Sequence, residues 1–304
     1  MRYGFIGLGN LGGKLAASLV RGGFEVVVCD LDAAAVARLV ALGATAAANP
    51  RLAGSGVDAA ITCLPSPAIS RAVLDGPDGL LAGLGAGGTW IEMSTIDQDQ
   101  AAKLGAHAAA HGVTMLEAPV TGGVHKAASG EITVLVGGDT AVFERHRPAF
   151  QAMGRQILHM GPLGSAAVMK VITNMLAFVH LVAAGEALML AKRGGLDLGQ
   201  AFHAIKASSG NSFVHETESQ LILNGSYDIA FTMELACKDL GFAMRLGQQF
   251  GVPLDLAGQT MQTFIRAREA FGGDAWSTMV VKLLEDALRT PLRADGFPAK
   301  LVPG

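Results

Sequence analysis

Gly7, Gly9 and Gly12 stand at the spacing G-x-G-x-x-G. A β-compatible run at residues 2–6 precedes them, and Leu11, Leu15 and Leu19 give the following helix one apolar stripe at i, i+4, i+8. In such a strand–turn–helix unit the first glycine permits the turn. The second leaves no Cβ between backbone and a pyrophosphate, and the third lets helix and strand approach, so that N–H groups at the helix start face the phosphates. Glycine makes up 40 of the 304 residues, so the spacing alone is weak evidence. Its context strengthens it, because Glu25 to Cys29 reads as the second parallel strand and Asp30 falls at its carboxyl end. A carboxylate there accepts hydrogen bonds from ribose hydroxyls and repels a 2′-phosphate. Leu31 and Asp32 follow with no arginine in the immediate turn, so NAD is expected over NADP. Gly7, Gly9, Asn10, Leu11, Gly12 and Asp30 form the candidate cofactor-binding set.

Proton chemistry has a different address. Lys170 and Asn174 sit at i and i+4 on an apolar helix, which puts them on one face about 6 Å apart at Cβ. Desolvation of a lysine in such surroundings depresses its pKa and brings proton exchange towards neutrality. Asn174 can donate and accept, and so hold a substrate hydroxyl or carboxylate beside it. Composition alone leaves open a lysine that snorkels to water. Thr121-Gly122-Gly123 places a hydroxyl before two glycines, a stretch able to present consecutive N–H groups as a nest for a carboxylate. Two further loops follow strands, Leu64-Pro65-Ser66-Pro67 and Ser94-Thr95 with Asp97 as a helix N-cap. Each of these loops also reads as an ordinary strand-to-helix turn. Lys238-Asp239, taken alone, reads as a solvated charge pair, and Ser208 to Asn211 is a plain turn or a substrate-facing loop.

The elements that must position these residues follow from periodicity. To about residue 160, β runs alternate with helical patterns, which predicts an α/β, doubly wound, mostly parallel sheet of the Rossmann type. The strands are expected at 2–6, 25–29, 44–46, 58–63, 89–92, 113–117, 132–136 and 156–159. Gly161-Pro162-Leu163-Gly164 breaks the pattern. Beyond it only helices are expected, at 165–193, 197–208, 213–224, 231–250, 253–271 and 277–287. The chain therefore divides into a nucleotide-binding domain at 1–162 and an all-α domain at 163–304. In a doubly wound sheet the ligand lies beyond the carboxyl ends of the strands, so the loops at 64–65, 94–95 and 118–123 converge on one rim.

Composition narrows the function classes. The net charge is -3 with 16% charged residues and no basic patch, so nucleic acid is not an expected partner. Cys29, Cys63 and Cys237 form no C-x-x-C pair and suit reduced, buried thiols in a cytoplasmic protein. The first residues enter the first strand directly, so no signal or transit segment is expected. Val171 to Ala191 is apolar enough to suggest a membrane span, but Asn174, His180 and Glu186 interrupt it, so no membrane is expected and the helix should be buried over most of its surface. The histidines show no metal spacing supported by carboxylates; His107 and His111, at i and i+4, lack the intervening glutamate of a zinc helix and are expected to face solvent. Neither a G-x-S-x-G elbow nor a P-loop is present. The segment 291–304, with three prolines and two glycines, should be irregular.

Taken together, Gly7-Leu8-Gly9-Asn10-Leu11-Gly12, Ala118-Pro119-Val120-Thr121-Gly122-Gly123, Lys170 with Asn174, and Lys238-Asp239-Leu240-Gly241 resemble the β-hydroxyacid dehydrogenases, and within them the 3-hydroxyisobutyrate dehydrogenases. The resemblance covers nearly the whole chain, in the family's order and spacing. It implies NAD-dependent oxidation of a small 3-hydroxy carboxylic acid, with Lys170 as acid/base, Asn174 orienting substrate, and Thr121, Gly122 and Gly123 holding the carboxylate. It also implies that Leu64, Pro65 and Thr95 line the nicotinamide and its ribose, that Lys238 closes over cofactor and substrate, and that the protein is a homodimer or homotetramer. The sequence departs from the family at Thr121, usually serine, at Thr173, often asparagine, and at Asn211, where the 3-hydroxyisobutyrate branch carries a longer basic residue.

Overall fold

The computed structural model describes residues 1–301. The first part of the chain runs β1 (Arg2–Ile6), α1 (Gly12–Arg21), β2 (Glu25–Cys29), α2 (Ala33–Val40), β3 (Thr45–Ala46), α3 (Pro50–Gly54), β4 (Ala59–Thr62), α4 (Pro67–Leu74), α5 (Leu80–Leu84), β5 (Thr89–Glu92), α6 (Gln98–Ala110) and β6 (Thr114–Glu117). It continues with β7 (Val120–Thr121), α7 (Gly123–Ser129), β8 (Ile132–Gly137), α8 (Thr140–Met153), β9 (Gly154–Gly161) and α9 (Ser165–Arg193). The strands form one nine-stranded sheet in the order β3-β2-β1-β4-β5-β6-β8-β7, with β9 paired to β8. The pairs from β3 through β6 are parallel, β8 runs antiparallel to β6 and β7, and β9 is parallel to β8.

Strand periodicity explains why both faces of this sheet are covered. Tyr3, Phe5, Val26, Val28 and Ile61 point to one apolar layer with Leu15, Leu19, Phe143 and Phe150. Ile6, Val27, Ala60 and Trp90 point to the other, with Leu74, Leu80 and Leu104. The reversal of strand order beside β1 opens the crevice that doubly wound sheets use for ligands. The two-residue β7 was not anticipated. It lies inside the loop read as an anion nest, and too few residues pair there to leave a hydropathy pattern.

After α9 come α10 (Leu198–Lys206), α11 (Phe213–Asn224), α12 (Met233–Phe250), α13 (Asp255–Phe271), a 3-10 turn (Ser277–Val281) and α14 (Lys282–Leu288). The single helix expected at 277–287 is thus a 3-10 turn continued by an α-helix. Phe178, Leu181, Phe202, Ile222, Leu240 and Phe264 form the core of this part. Asp197, Ser212 and Thr232 cap α10, α11 and α12 through their side chains. The segment after Pro291 carries no helix or strand among the described residues, yet Leu292 is fully buried. Glu285 accepts from Leu292 N–H and Arg293 Nη1 at 2.8 and 2.9 Å, which pins the segment down.

The chain separates into two compact units, Met1–Lys170 and the part from Val171 onward, so the division falls inside α9. The expected boundary at residue 162 marks instead the end of the sheet, one residue past β9. Within α9 the surface is less covered than expected. The helix is long and apolar enough to cross a membrane by composition, with a mean hydropathy of 1.7 over its most apolar window, but only 39% of that window is buried by the chain itself. Leu176, His180 and Leu190 are among its exposed positions.

Candidate functional site

The glycine loop fits a dinucleotide position by position. Gly7 has φ +95°, and a Cβ there would lie 2.3 Å from the Cys63 carbonyl oxygen. A Cβ on Gly12 would lie 2.0 Å from the Gly7 oxygen, so the tight approach ascribed to this glycine is between α1 and the loop that feeds it. Gly9 has nothing within 4 Å of a built Cβ, so its backbone faces open space where a pyrophosphate can approach. No side chain caps α1, whose preceding residue is Leu11. Asp30 binds the loop: its Oδ2 accepts from Leu8 N–H at 2.5 Å and its Oδ1 from Asp32 N–H at 2.7 Å. The open cleft here, about 480 Å³, is lined by Gly9, Asn10, Asp30, Asp32 and Arg38 among others. Arg38 lies beyond the immediate turn that the sequence argument considered. It comes from α2, with its guanidinium 3.9 Å from the Asp32 carboxylate.

The loops after β4 and β5 are braced together by residues the sequence argument passed over. Leu64 N–H donates to Ser94 Oγ at 2.8 Å, and Ser94 N–H donates to Glu92 Oε1 at 2.8 Å. Trp90 Nε1–H donates to Thr62 Oγ1 at 2.7 Å. Glu92 has no exposure, and burial pushes its carboxyl above the ordinary range against the opposing hydrogen bonds of Ser70, Ser94 and Thr62. This frame leaves Leu64 and Thr95 half-buried and Pro65 exposed at the strand ends. Burial and Glu92 together push the Cys63 thiol up to about 12, so it is no nucleophile.

Thr121 ends β7, paired with Thr133 of β8, and Gly122 and Gly123 follow with φ +121° and +86°. Two such positions in succession are cheap only for glycine, and they turn the chain into α7, whose start carries no capping side chain. Just before this loop, Glu117 is completely buried, with Oε1 accepting from the N–H groups of Gly164 and Ala166, each at 2.8 Å. Burial holds its carboxyl pKa above the ordinary range, outweighing the lowering effect of these backbone donors. Lys170, one turn beyond Ala166 on α9, is 7% exposed, so it does not snorkel to water.

In the second unit, Asn174 Nδ2–H donates to Asp239 Oδ2 at 2.7 Å, and the Lys238 ammonium lies 2.9 Å from Asp239 Oδ1. The reading of Lys238-Asp239 as a solvated pair is therefore corrected, since Asp239 is 1% exposed and faces the α9 side chain that sequence spacing had paired only with Lys170. The Lys238 ammonium also sits over the Phe242 ring, 4.9 Å from its centroid. Asp239 stands in the Lys238-Asp239-Leu240-Gly241 stretch, where the resemblance implies a role for Lys238 alone. Its one available signal is its place beside Lys238 on the buried stripe of α12.

His107 is likewise corrected. It is partly buried and its Nε2 lies 2.5 Å from Asp75 Oδ1, with the His111 ring packed edge-on against it. Among the described residues no cluster of His, Cys, Asp and Glu could hold a metal.

A doubly wound sheet with this glycine loop and Asp30 defines a dinucleotide-binding protein. Residues 2–161 match the family described as the NAD binding domain of 6-phosphogluconate dehydrogenase. Residues 164–284 match the one described as NAD-binding of NADP-dependent 3-hydroxyisobutyrate dehydrogenase. The chain is 34% identical to a 2-(hydroxymethyl)glutarate dehydrogenase of Eubacterium barkeri, over 94% of its length and 95% of the relative's. It is 38% identical to an NAD-dependent L-serine dehydrogenase of Pseudomonas aeruginosa, over 80% and 84%. Among solved structures, a 3-hydroxyisobutyrate dehydrogenase of Salmonella typhimurium superposes with a TM-score of 0.86 at 33% identity, covering 93% of this chain and 99% of that one. The chain belongs to the β-hydroxyacid dehydrogenase family, oxidoreductases that use a nicotinamide dinucleotide.

Proposed function

We propose that the chain oxidises a small 3-hydroxy acid to the corresponding semialdehyde, using NAD, with Lys170 as the proton acceptor. The observation that carries this reading is the burial of Lys170 on α9, one turn before an asparagine whose amide is fixed by a buried carboxylate. The acids named for the two relatives above, and the one named for the solved structure, share a hydroxymethyl group on the carbon that bears the carboxylate. They differ in the third substituent, so a substrate HO–CH2–CHR–COO⁻ is the common denominator and R is the open variable. The Thr121 hydroxyl and the N–H groups of Gly122 and Gly123 hold the carboxylate, and Asn174 orients the hydroxyl. Lys170 in its uncharged form takes the hydroxyl proton on Nζ as the C–H electron pair leaves the carbinol carbon. A bound nicotinamide supplies the hydride acceptor. Running in reverse, the same groups would reduce a semialdehyde, with Lys170 returning the proton.

NAD is preferred to NADP in this reading because the Asp30 carboxylate lines the same cleft as Gly9, and a negative charge there repels a 2′-phosphate. The test is a panel of 2-substituted 3-hydroxypropanoates, with 3-hydroxyisobutyrate, serine and 2-(hydroxymethyl)glutarate among them, assayed with each cofactor by the absorbance of its reduced form. Turnover of at least one acid is expected, with kcat/KM favouring NAD by about tenfold or more, equivalent to roughly 1.4 kcal/mol. Asp30→Ala should narrow that gap. No turnover of any acid would overturn the substrate class, and equal use of both cofactors would overturn the preference.

A further inference from the structure

Glu117 closes β6 with no exposure to solvent, and a buried carboxylate is costly unless something specific holds it. What holds it is the first turn of α9, through the Gly164 and Ala166 N–H groups that the helix leaves without intrahelical partners. The slot it crosses is built for it. The β6–β8 register sets Gly137 opposite Glu117, and a Cβ on Gly137 would lie 2.3 Å from the same Oε1. In sequence Glu117 runs directly into the loop that ends in Thr121, Gly122 and Gly123. Ala166 stands one turn before Lys170, about 6 Å along the helix axis. One side chain therefore ties the root of the carboxylate-binding loop to the root of the lysine.

We propose that Glu117 is a positioning residue for the reaction: by clamping the first turn of α9 to the end of β6, its carboxylate sets the separation between Lys170 and the carboxylate-binding loop. The inference rests on the assignment of Lys170 as proton acceptor. Oε1 accepts from both N–H groups whether or not the carboxyl is ionised, so the clamp is one of geometry rather than of charge. A substrate anchored by its carboxylate presents its hydroxyl at a fixed distance, so a shift of Lys170 by about 1 Å is enough to cost roughly a hundredfold in rate.

The experiment is a double-mutant cycle between Glu117 and Lys170, read as kcat, KM for the best acid of the panel, NAD affinity and thermal midpoint. Glu117→Ala should lower kcat by roughly ten- to a hundredfold while NAD affinity stays within about twofold. Glu117→Gln, whose amide oxygen reaches the same two N–H groups, should recover most of that loss. In a Lys170→Ala background Glu117→Ala should cost less than about twofold, because no lysine is left to position. An equal loss in both backgrounds would mean general damage and overturn the inference. So would parent-like kcat in Glu117→Ala alongside an inactive Lys170→Ala. Should Lys170→Ala itself keep more than about a tenth of turnover, the proton-acceptor assignment fails first and takes this inference with it. If Glu117→Ala does not fold, Gly137→Ala, which crowds the carboxylate without removing it, replaces it in the cycle, and parent-like kcat there overturns the inference.

Discussion

At the scale of single residues, burial separates the candidates. Lys170 and Asp239 are withdrawn from water, while Gly123 and Pro65 face it. Lys170→Ala removes the proposed proton acceptor and leaves the glycine loop and Asp30 untouched. Steady-state assays should show turnover down by about two to four orders of magnitude, with NAD affinity by titration nearly unchanged. Asp239→Ala should act differently. It removes one partner from both the Asn174 amide and the Lys238 ammonium, so KM for the acid should rise as kcat falls, where a purely proton-transfer defect would leave KM alone. Residue type and spacing single out Lys170, Asn174 and Thr121 as candidates. They assign nothing to Glu92, Glu117 or Asp239, because an acid at a strand end or on a helix looks like any surface carboxylate until the fold buries it.

At the scale of elements, the β1–α1 turn makes two glycines separable by experiment. A methyl group on Gly12 meets backbone 2.0 Å away, so Gly12→Ala should lower stability by about 1–3 kcal/mol and NAD affinity with it. A methyl group on Gly9 meets no protein atom within 4 Å, so Gly9→Ala should melt like the parent yet bind NAD at least about tenfold more weakly. Calorimetry paired with NAD titration distinguishes the two, and a Gly9 variant that binds normally would count against the pyrophosphate assignment. The long elements were legible because each carries several turns of one periodicity. α9 falls at the expected 165–193 with both ends in register. β7 is not legible, since two residues carry no period, and α14 is hard to part from its 3-10 turn because Val280, Val281, Leu283 and Leu284 all pack into the same core.

At the scale of the molecule, acid sensitivity should trace to a packing element far from the glycine loop. His146 is fully buried with Nδ1 3.0 Å from the Tyr3 hydroxyl, and burial lowers its pKa from 6.5 to about 4. The unfolded chain binds the proton more readily, so this neutral imidazole stabilises the fold above about pH 6.5, and that stability is lost as pH falls towards 4. The amount is up to about 3 kcal/mol, and His146→Gln should flatten the acid limb of denaturant midpoints measured between these pH values. The partly uncovered apolar surface of α9 leads to a second expectation, a homodimer or homotetramer that shields it. Light scattering at micromolar concentration should give at least twice the chain mass, and a monomer would count against it. The two-part organisation itself was legible from the switch of period at Gly161–Gly164. That the compact units divide at Lys170 was not, because one unbroken helix carries no compositional break. The order of strands has one more consequence, for how the protein fails. β3, at one margin, is two residues long and offers almost no template for a foreign strand. β9, at the other, is eight residues long, and among the described residues no strand pairs with its far side. Exposed Arg155 and Gln156 interrupt it, and Pro162 stands immediately past its end. These features hinder a free strand from recruiting copies of itself, and their presence marks this long margin, rather than the cofactor loops, as the place where self-association of partly unfolded chains should begin.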